Sequence, residues 1–212
     1  MTQGTDECFC SLARKCSPTG VDDRAGNHQR YFNPALSCFL IDGKDCCFGV
    51  ECVEDGFNEQ ENQWAFQVPS NNDYPHAIWW KYHPQNLSFS YNPSAYFAGF
   101  IIRYGNKRTK LYKNACLIAQ QAYEFITQED TLSGDNLRCY LGLYRFLLEA
   151  EVNDLIPLEG LKAQLIEKID KEVCQDTSKY GVEYVTLPSK FFPDADAFFI
   201  EGHEDLIQKD IE

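Results

Sequence analysis

No apolar stretch in the 212-residue sequence is long enough to cross a bilayer, and the longest, near Phe97 to Ile102, falls far short. The N-terminal segment holds no signal-peptide core either, because Arg14 and Lys15 interrupt the run from Cys8 to Cys16. Together these absences predict a chain that stays in the cytosol. Basic residues are scarce, with 19 Lys and Arg against 32 Asp and Glu and a formal charge of −13. A field of that sign repels phosphate backbones, so nucleic-acid binding is not expected. Several catalytic patterns are missing as well. There is no phosphate-cradling G-x-x-x-x-G-K-[ST], no dinucleotide glycine pattern, no G-x-S-x-G and no H-E-x-x-H. What is present is ordinary for a folded protein: 44% hydrophobic and 14% aromatic residues exclude disorder.

Ten cysteines stand out, and seven of them lie before residue 53. In a reducing compartment they read as free thiols rather than a disulfide framework. Cys8-x-Cys10 and Cys46-Cys47-x4-Cys52 lack the Cys-x2-Cys knuckle with which two thiolates grip one tetrahedral zinc. Neighbours such as Cys46 and Cys47 also point to opposite faces of a strand. Buried small hydrophobes are therefore the favoured reading, with no cofactor expected, and a thiol- or metal-dependent protein is the alternative.

Along the chain, residues 1–35 are polar and turn-rich, and predict an irregular arm ahead of a single domain at 36–212. Ser37 to Ile41 and Phe48 to Val53 fit either a small hairpin across Asp42-Gly43 or a short helix and a strand. Glu54 to Gln63 reads as an acidic loop and Trp64 to Val68 as a short strand. Helical patterns then take over. Asn92-Pro93 opens a helix that stops at Gly105. A second helix carries Leu111, Ala115, Ala119, Ala122 and Ile126 on one stripe, widened by Tyr112, Cys116 and Tyr123. A third, capped by Ser133 or Asp135, carries Leu137, Tyr140, Leu141, Tyr144, Leu147 and Leu148. A fourth, starting near Pro157, carries Leu158, Leu161, Leu165, Ile169 and Val173. Short polar connections imply antiparallel hairpins. Glu204 to Ile211 begins a further helix and breaks off, as if the chain were cut before its next element.

The three tryptophans, Trp64, Trp79 and Trp80, cluster among other rings and beside His76 and His83. Such a cluster can stack an apolar or cationic ligand and fix its polar end, or can serve as a core seam. The histidines suit a general base, or a clamp for nearby backbone. Glu51, Glu54 and Asp55, with Asp42 and Asp45, fit no EF-hand spacing and read as a solvated turn. Arg103, Lys107, Arg108, Lys110 and Lys113 form a basic run free of acids. Arg103, Lys107 and Arg108 are its candidate anion-binding residues, the other reading being a solubilising connection.

Tyr74-Pro75-His76-Ala77-Ile78-Trp79-Trp80, followed by Asn92-Pro93-Ser94-Ala95-Tyr96-Phe97-Ala98-Gly99, resembles a group of bacterial proteins similar to the prenyltransferase and squalene-cyclase repeat proteins. The run from Leu161 to Phe199, with Asp170, Tyr180, Pro188 and Pro193, resembles the same group's downstream spacing. The resemblance spans roughly Trp64 to Glu212. It implies an α/α toroid, complete or partial, around an aromatic-lined cavity. The Asp-x-Asp-Asp acid of the class II terpene cyclases is missing. Asp45-Cys46-Cys47 matches the Asp-x-Cys zinc pair of the protein prenyltransferases at Asp45 and Cys47, but with no helical context and no downstream histidine spacing to complete it.

The sequence thus predicts a mainly α fold of antiparallel helix hairpins, with an irregular Cys-rich N-terminal region that has room for a small β-hairpin. The expected function is binding of a small apolar or sugar-like ligand on a concave aromatic surface, at Tyr74, His76, Trp79, Trp80, Asn92 and Tyr96. The alternative is a protein-interaction module without a small-molecule site, so the partner is a small molecule or a second protein.

Overall fold

The structure, a computed structural model, describes Val50, Val53, Glu54, residues 56–73, Pro75, Ile78, residues 81–85, Leu87, and residues 89–191 and 203–211. The described residues fall into two units that divide between Ser90 and Tyr91. The expected boundary near residue 35 lies outside the described residues.

In the first unit, β1 (Phe57–Asn58) pairs antiparallel with β2 (Gln63–Trp64), Phe57 facing Trp64. The stretch expected as an acidic loop is thus a tight hairpin. Its turn forms because Asn58 Oδ1 accepts the backbone N–H groups of Gln60 and Glu61, and Asn62 takes a left-handed φ of 52°. Trp64 anchors the unit. Its ring is buried against Phe57 at 4.7 Å, and its indole N–H donates to Val53 O at 2.7 Å. The strand expected over Trp64 to Val68 shrinks to β2 plus one bridge, Ala65 to Phe89. Of the stretch at 37–53, expected as a hairpin or as a short helix and a strand, only Val50 and Val53 are described, and both are helical. Asn72 holds Tyr82 from both sides, accepting its N–H and donating to its carbonyl.

Among its described residues the second unit carries five α-helices: α1 (Tyr91–Tyr104), α2 (Lys110–Gln128), α3 (Gly134–Glu149), α4 (Leu158–Glu172) and α5 (Glu204–Ile211). The start and stop expected for α1, the Ser133 cap of α3, the Pro157 start of α4 and the Glu204 to Ile211 span of α5 all fall within a residue or two of the observed ends. The Asn92–Pro93 peptide is cis and Asn92 is extended, so regular α1 starts at the proline. Thr109 caps α2 by accepting from the Tyr112 N–H, and Ser133 caps α3 by accepting from Asn136, each worth about 1 kcal/mol. The α3 start gains a second partner in Glu172, at the end of α4. Its Oε1 accepts the Gly134 N–H at 2.9 Å and the Thr186 hydroxyl at 2.7 Å. A carboxylate there also meets the positive end of the α3 dipole.

Helix directions follow from which residues meet. Asn92 reaches Cys139, Tyr96 lies over Gly142, Gly99 lies over Leu143, and Arg103 pairs with Glu149. Both numbers rise together, so α1 and α3 run parallel. Tyr91 stacks on Phe125 at the far end of α2, and Glu172 meets Gly134, so α2 opposes α1 and α4 opposes α3. The unit is therefore two antiparallel hairpins stacked side by side, with α1 and α3 in contact along their length. Ten consecutive residues of α1, Pro93 to Ile102, are buried, the mark of a helix enclosed on every side. The α2 stripe is buried as expected at Ala115, Ala119, Ala122 and Ile126, with Ile118 added. The α3 stripe differs. Phe146, Leu143 and Cys139 are buried while Leu148 is exposed, because α3 is flanked by both α1 and α4 and must bury a broader face than one stripe.

The close approach of α1 and α3 requires two glycines. A Cβ on Gly99 would lie 2.9 Å from the Leu143 Cα, and one on Gly142 would overlap the Tyr96 ring. Gly99→Ala should therefore destabilise the fold by roughly 1–3 kcal/mol through overpacking, read as a lower urea midpoint. An unchanged midpoint would contradict this packing.

Candidate functional site

Four of the six expected pocket residues, Tyr74, His76, Trp79 and Trp80, lie outside the described residues, as do Asp45 and Cys47. The other two sit at the α1–α3 contact. Asn92 Oδ1 accepts from Cys139 Sγ at 3.4 Å. Tyr96 is buried on α1, edge-on to Phe146 at 5.2 Å and to Phe97 at 6.2 Å. Burial pushes the Tyr96 hydroxyl pKa up, an effect the Arg145 guanidinium opposes in part.

The parallel pairing continues this aromatic row toward the helix ends. Phe100 lies 5.8 Å from Phe146, and Tyr104 lies 6.0 Å from Phe146 and 5.0 Å from Phe100. The row finishes at Tyr104, which is half-buried. Around that end stand three charged side chains. Arg103 Nε is 3.5 Å and Arg145 Nε 3.8 Å from the two oxygens of Glu149. All three remain open to solvent, at 39%, 53% and 40% side-chain exposure. Each guanidinium also lies over a ring, Arg103 over Tyr104 at 5.0 Å and Arg145 over Phe146 at 5.1 Å. Exposed pairs of this kind add little to stability, and their positions leave them accessible to a ligand.

The basic run is divided by the fold. Arg103 belongs to this cluster at the end of α1. Lys107 and Arg108 lie on the connection to α2, where Asn106 Oδ1 accepts the Arg108 N–H, and Lys110 and Lys113 follow on α2. Arg103 is thereby neutralised by Glu149 and by the negative end of α1.

Sequence reading passed over Arg145, Glu149 and Tyr104, because only the parallel alignment of two helices brings them together. It passed over His203 too, which is buried with Nε2 3.3 Å from Asp170 Oδ1 at the junction of α5 and α4. That contact, with Asp210 accepting the Ser189 N–H, fastens the last helix.

Among the described residues no group of three or more His, Cys, Asp or Glu is placed to hold a metal ion. Among these residues, also, no helix is long and apolar enough to cross a membrane. Burial pushes the Cys139 thiol up to about 12 and raises Cys116, which the Tyr112 hydroxyl and Lys107 offset in part. Neither thiol is an activated nucleophile.

The Cys139 shift has a consequence for stability. Its folded value lies above the unfolded value of 9.0, so the stabilisation is intact below pH 9.0 and drains away as the pH climbs toward about 12. Stability should fall over that range, and Cys139→Ala should remove up to about 1.4 kcal/mol of slope per pH unit. Urea midpoints measured from neutral to alkaline pH check this, and parallel curves for the two proteins would refute it.

No family model matches this chain, and neither does a curated protein or a solved structure, so its own residues carry the functional reading.

Proposed function

We propose that the chain is a helical binding protein of the α/α-hairpin type, and that it takes a small apolar or sugar-like ligand at the open end of the α1–α3 aromatic row. Two hairpins stacked with α1 parallel to α3 are the repeating step of an α/α toroid, and the Tyr-Pro-His-Ala-x-Trp-Trp and Asn-Pro-Ser-Ala resemblance supports that larger arrangement.

The observation that carries the binding reading is the half-exposed ring of Tyr104 set beside two donors and one acceptor. Tyr104 offers the apolar part of its ring that Phe100, Phe146 and the overlying Arg103 leave uncovered. Arg103 and Arg145 offer N–H groups, and Glu149 offers carboxylate oxygens, all reachable from solvent. The charge balance selects among ligands. Two guanidiniums against one carboxylate leave a single positive charge, and the C-terminal ends of α1 and α3 contribute about half a negative charge each. The cluster is close to neutral, which favours an uncharged ligand bearing hydroxyl groups over an anion. A sugar ring meets these terms, with C–H groups on the aromatic face and hydroxyls bridging arginine and glutamate.

Calorimetric titration of the purified protein against a panel of neutral saccharides and uncharged isoprenoid alcohols tests this. One member should bind, and Tyr104→Ala and Glu149→Gln should each weaken it about tenfold or more while the helical circular-dichroism spectrum is retained. No binding across the panel, or binding that ignores both substitutions, would remove the proposal.

A further inference from the structure

The carboxylate at the end of the α1–α3 pair is held by charge without being hydrogen-bonded by its arginines. Glu149 stands between arginines from two helices, and each of its oxygens meets a different one. Oε2 lies 3.5 Å from Arg103 Nε, and Oε1 lies 3.8 Å from Arg145 Nε. Hydrogen bonds from N–H to oxygen run to about 3.2 Å, so both contacts are ion pairs that leave hydrogen-bonding capacity on each side. The carboxylate accepts through both oxygens, and an arginine only donates. All three side chains are open to solvent, so a ligand can reach both contacts.

A group that bridges such a contact from the solvent side must donate to the carboxylate and accept from the guanidinium at once. A hydroxyl does both on a single atom. A ligand carboxylate or phosphate accepts from arginine but is repelled by Glu149, and an ammonium donates to Glu149 but is repelled by both arginines. Two contacts flank one carboxylate, so two hydroxyls are required. Both oxygens are bonded to the same carbon, so those hydroxyls must lie close together, as they do on neighbouring carbons of a ring. Water has the same two capacities and competes for each contact. A ring that carries both hydroxyls bridges the pair with one molecule to immobilise instead of two. A lone alcohol bridges one contact and leaves the other to water.

We propose that Glu149 makes this site selective for a vicinal diol, with one hydroxyl donating to each carboxylate oxygen while accepting from Arg103 or Arg145. The inference rests on the ligand reading above and narrows it. Saccharides and cyclitols with hydroxyls on adjacent ring carbons fall inside the class, and isoprenoid alcohols fall outside it. The apolar part of the ring then lies toward the uncovered part of Tyr104, at the end of the aromatic row.

Two isomers test the hydroxyl spacing while the apolar surface is held constant. The hydroxyls of trans-cyclohexane-1,2-diol are adjacent. In trans-cyclohexane-1,3-diol one is always axial and the other equatorial, which keeps them apart. Prenol stands for the isoprenoid alcohols. Nuclear magnetic resonance follows the Arg103 and Arg145 Nε–H groups and the Tyr104 ring as each probe is added to the full chain, up to about 0.1 M. The 1,2-diol should bind about fivefold or more tighter than either other probe, the scale of one exposed hydrogen bond. Glu149→Gln replaces one acceptor by a donor, and should bring the three probes to within about twofold of one another with an unchanged circular-dichroism spectrum. Equal binding of all three to the wild type, or a preference that survives Glu149→Gln, would overturn the diol selectivity and leave the broader ligand site standing. If none of the three shifts these signals, the ligand site fails and the selectivity fails with it.

Discussion

The contact of Gly99 with Leu143 is the constraint on which the helical unit depends. With no side chain on Gly99 or Gly142, the backbones of α1 and α3 come close enough for the Tyr96 ring to pack against Gly142 of the neighbouring helix. That closeness fixes the register of the two helices, and the register aligns everything above it: Asn92 with Cys139, Tyr96 and Phe100 with Phe146, Arg103 with Glu149. Methyl groups at these two positions would push α1 away, and the aromatic row and the charged cluster at its end would separate together. The outer helices depend on the inner pair in turn. Tyr140 of α3 donates to the Ala122 carbonyl of α2, and Glu172 of α4 caps the start of α3.

Electrostatics divides the unit into zones with different work. In the interior, burial holds Cys139 and Tyr140 in their neutral forms, so the core is safe at neutral pH and vulnerable to alkali. At the end of the α1–α3 pair, two arginines and a glutamate come close to cancelling against two helix dipoles, and what is left is hydrogen-bonding capacity rather than charge. On α2 the opposite holds. Lys110 and Lys113 lie in its first turn and Glu124 toward its end, so charges of each sign are kept apart along the helix.

The helices were legible in the sequence because their signals are local. Ser133 sits where a cap was expected, Gly105 follows the last turn of α1, and the Ala115 to Ile126 stripe repeats at helical spacing. The width of the α3 buried face was not legible, since Leu148 and Phe146 fit an apolar stripe equally well and only the presence of two neighbours decides between them. The hairpin at Phe57–Asn58 and Gln63–Trp64 was missed because its strands are two residues long and its turn rests on the Asn58 side chain rather than on glycine. The site was legible only at its edges. Tyr96 and Arg103 were singled out separately, for their aromatic and basic surroundings, but Arg145 and Glu149 lie over 40 residues away along the chain. Nothing short of the helix pairing joins them. His203 and Asp170 are likewise distant in sequence and met only through tertiary packing.

The parallel approach of α1 and α3 can be observed directly by nuclear magnetic resonance. A strong nuclear Overhauser contact between the Hα protons of Gly99 and Leu143 is expected, because a Cβ placed on Gly99 would lie 2.9 Å from the Leu143 Cα. Its absence, with α3 contacts to Gly99 coming instead from residues near Asn136 or Glu149, would show a different register and would separate the aromatic row from its polar rim.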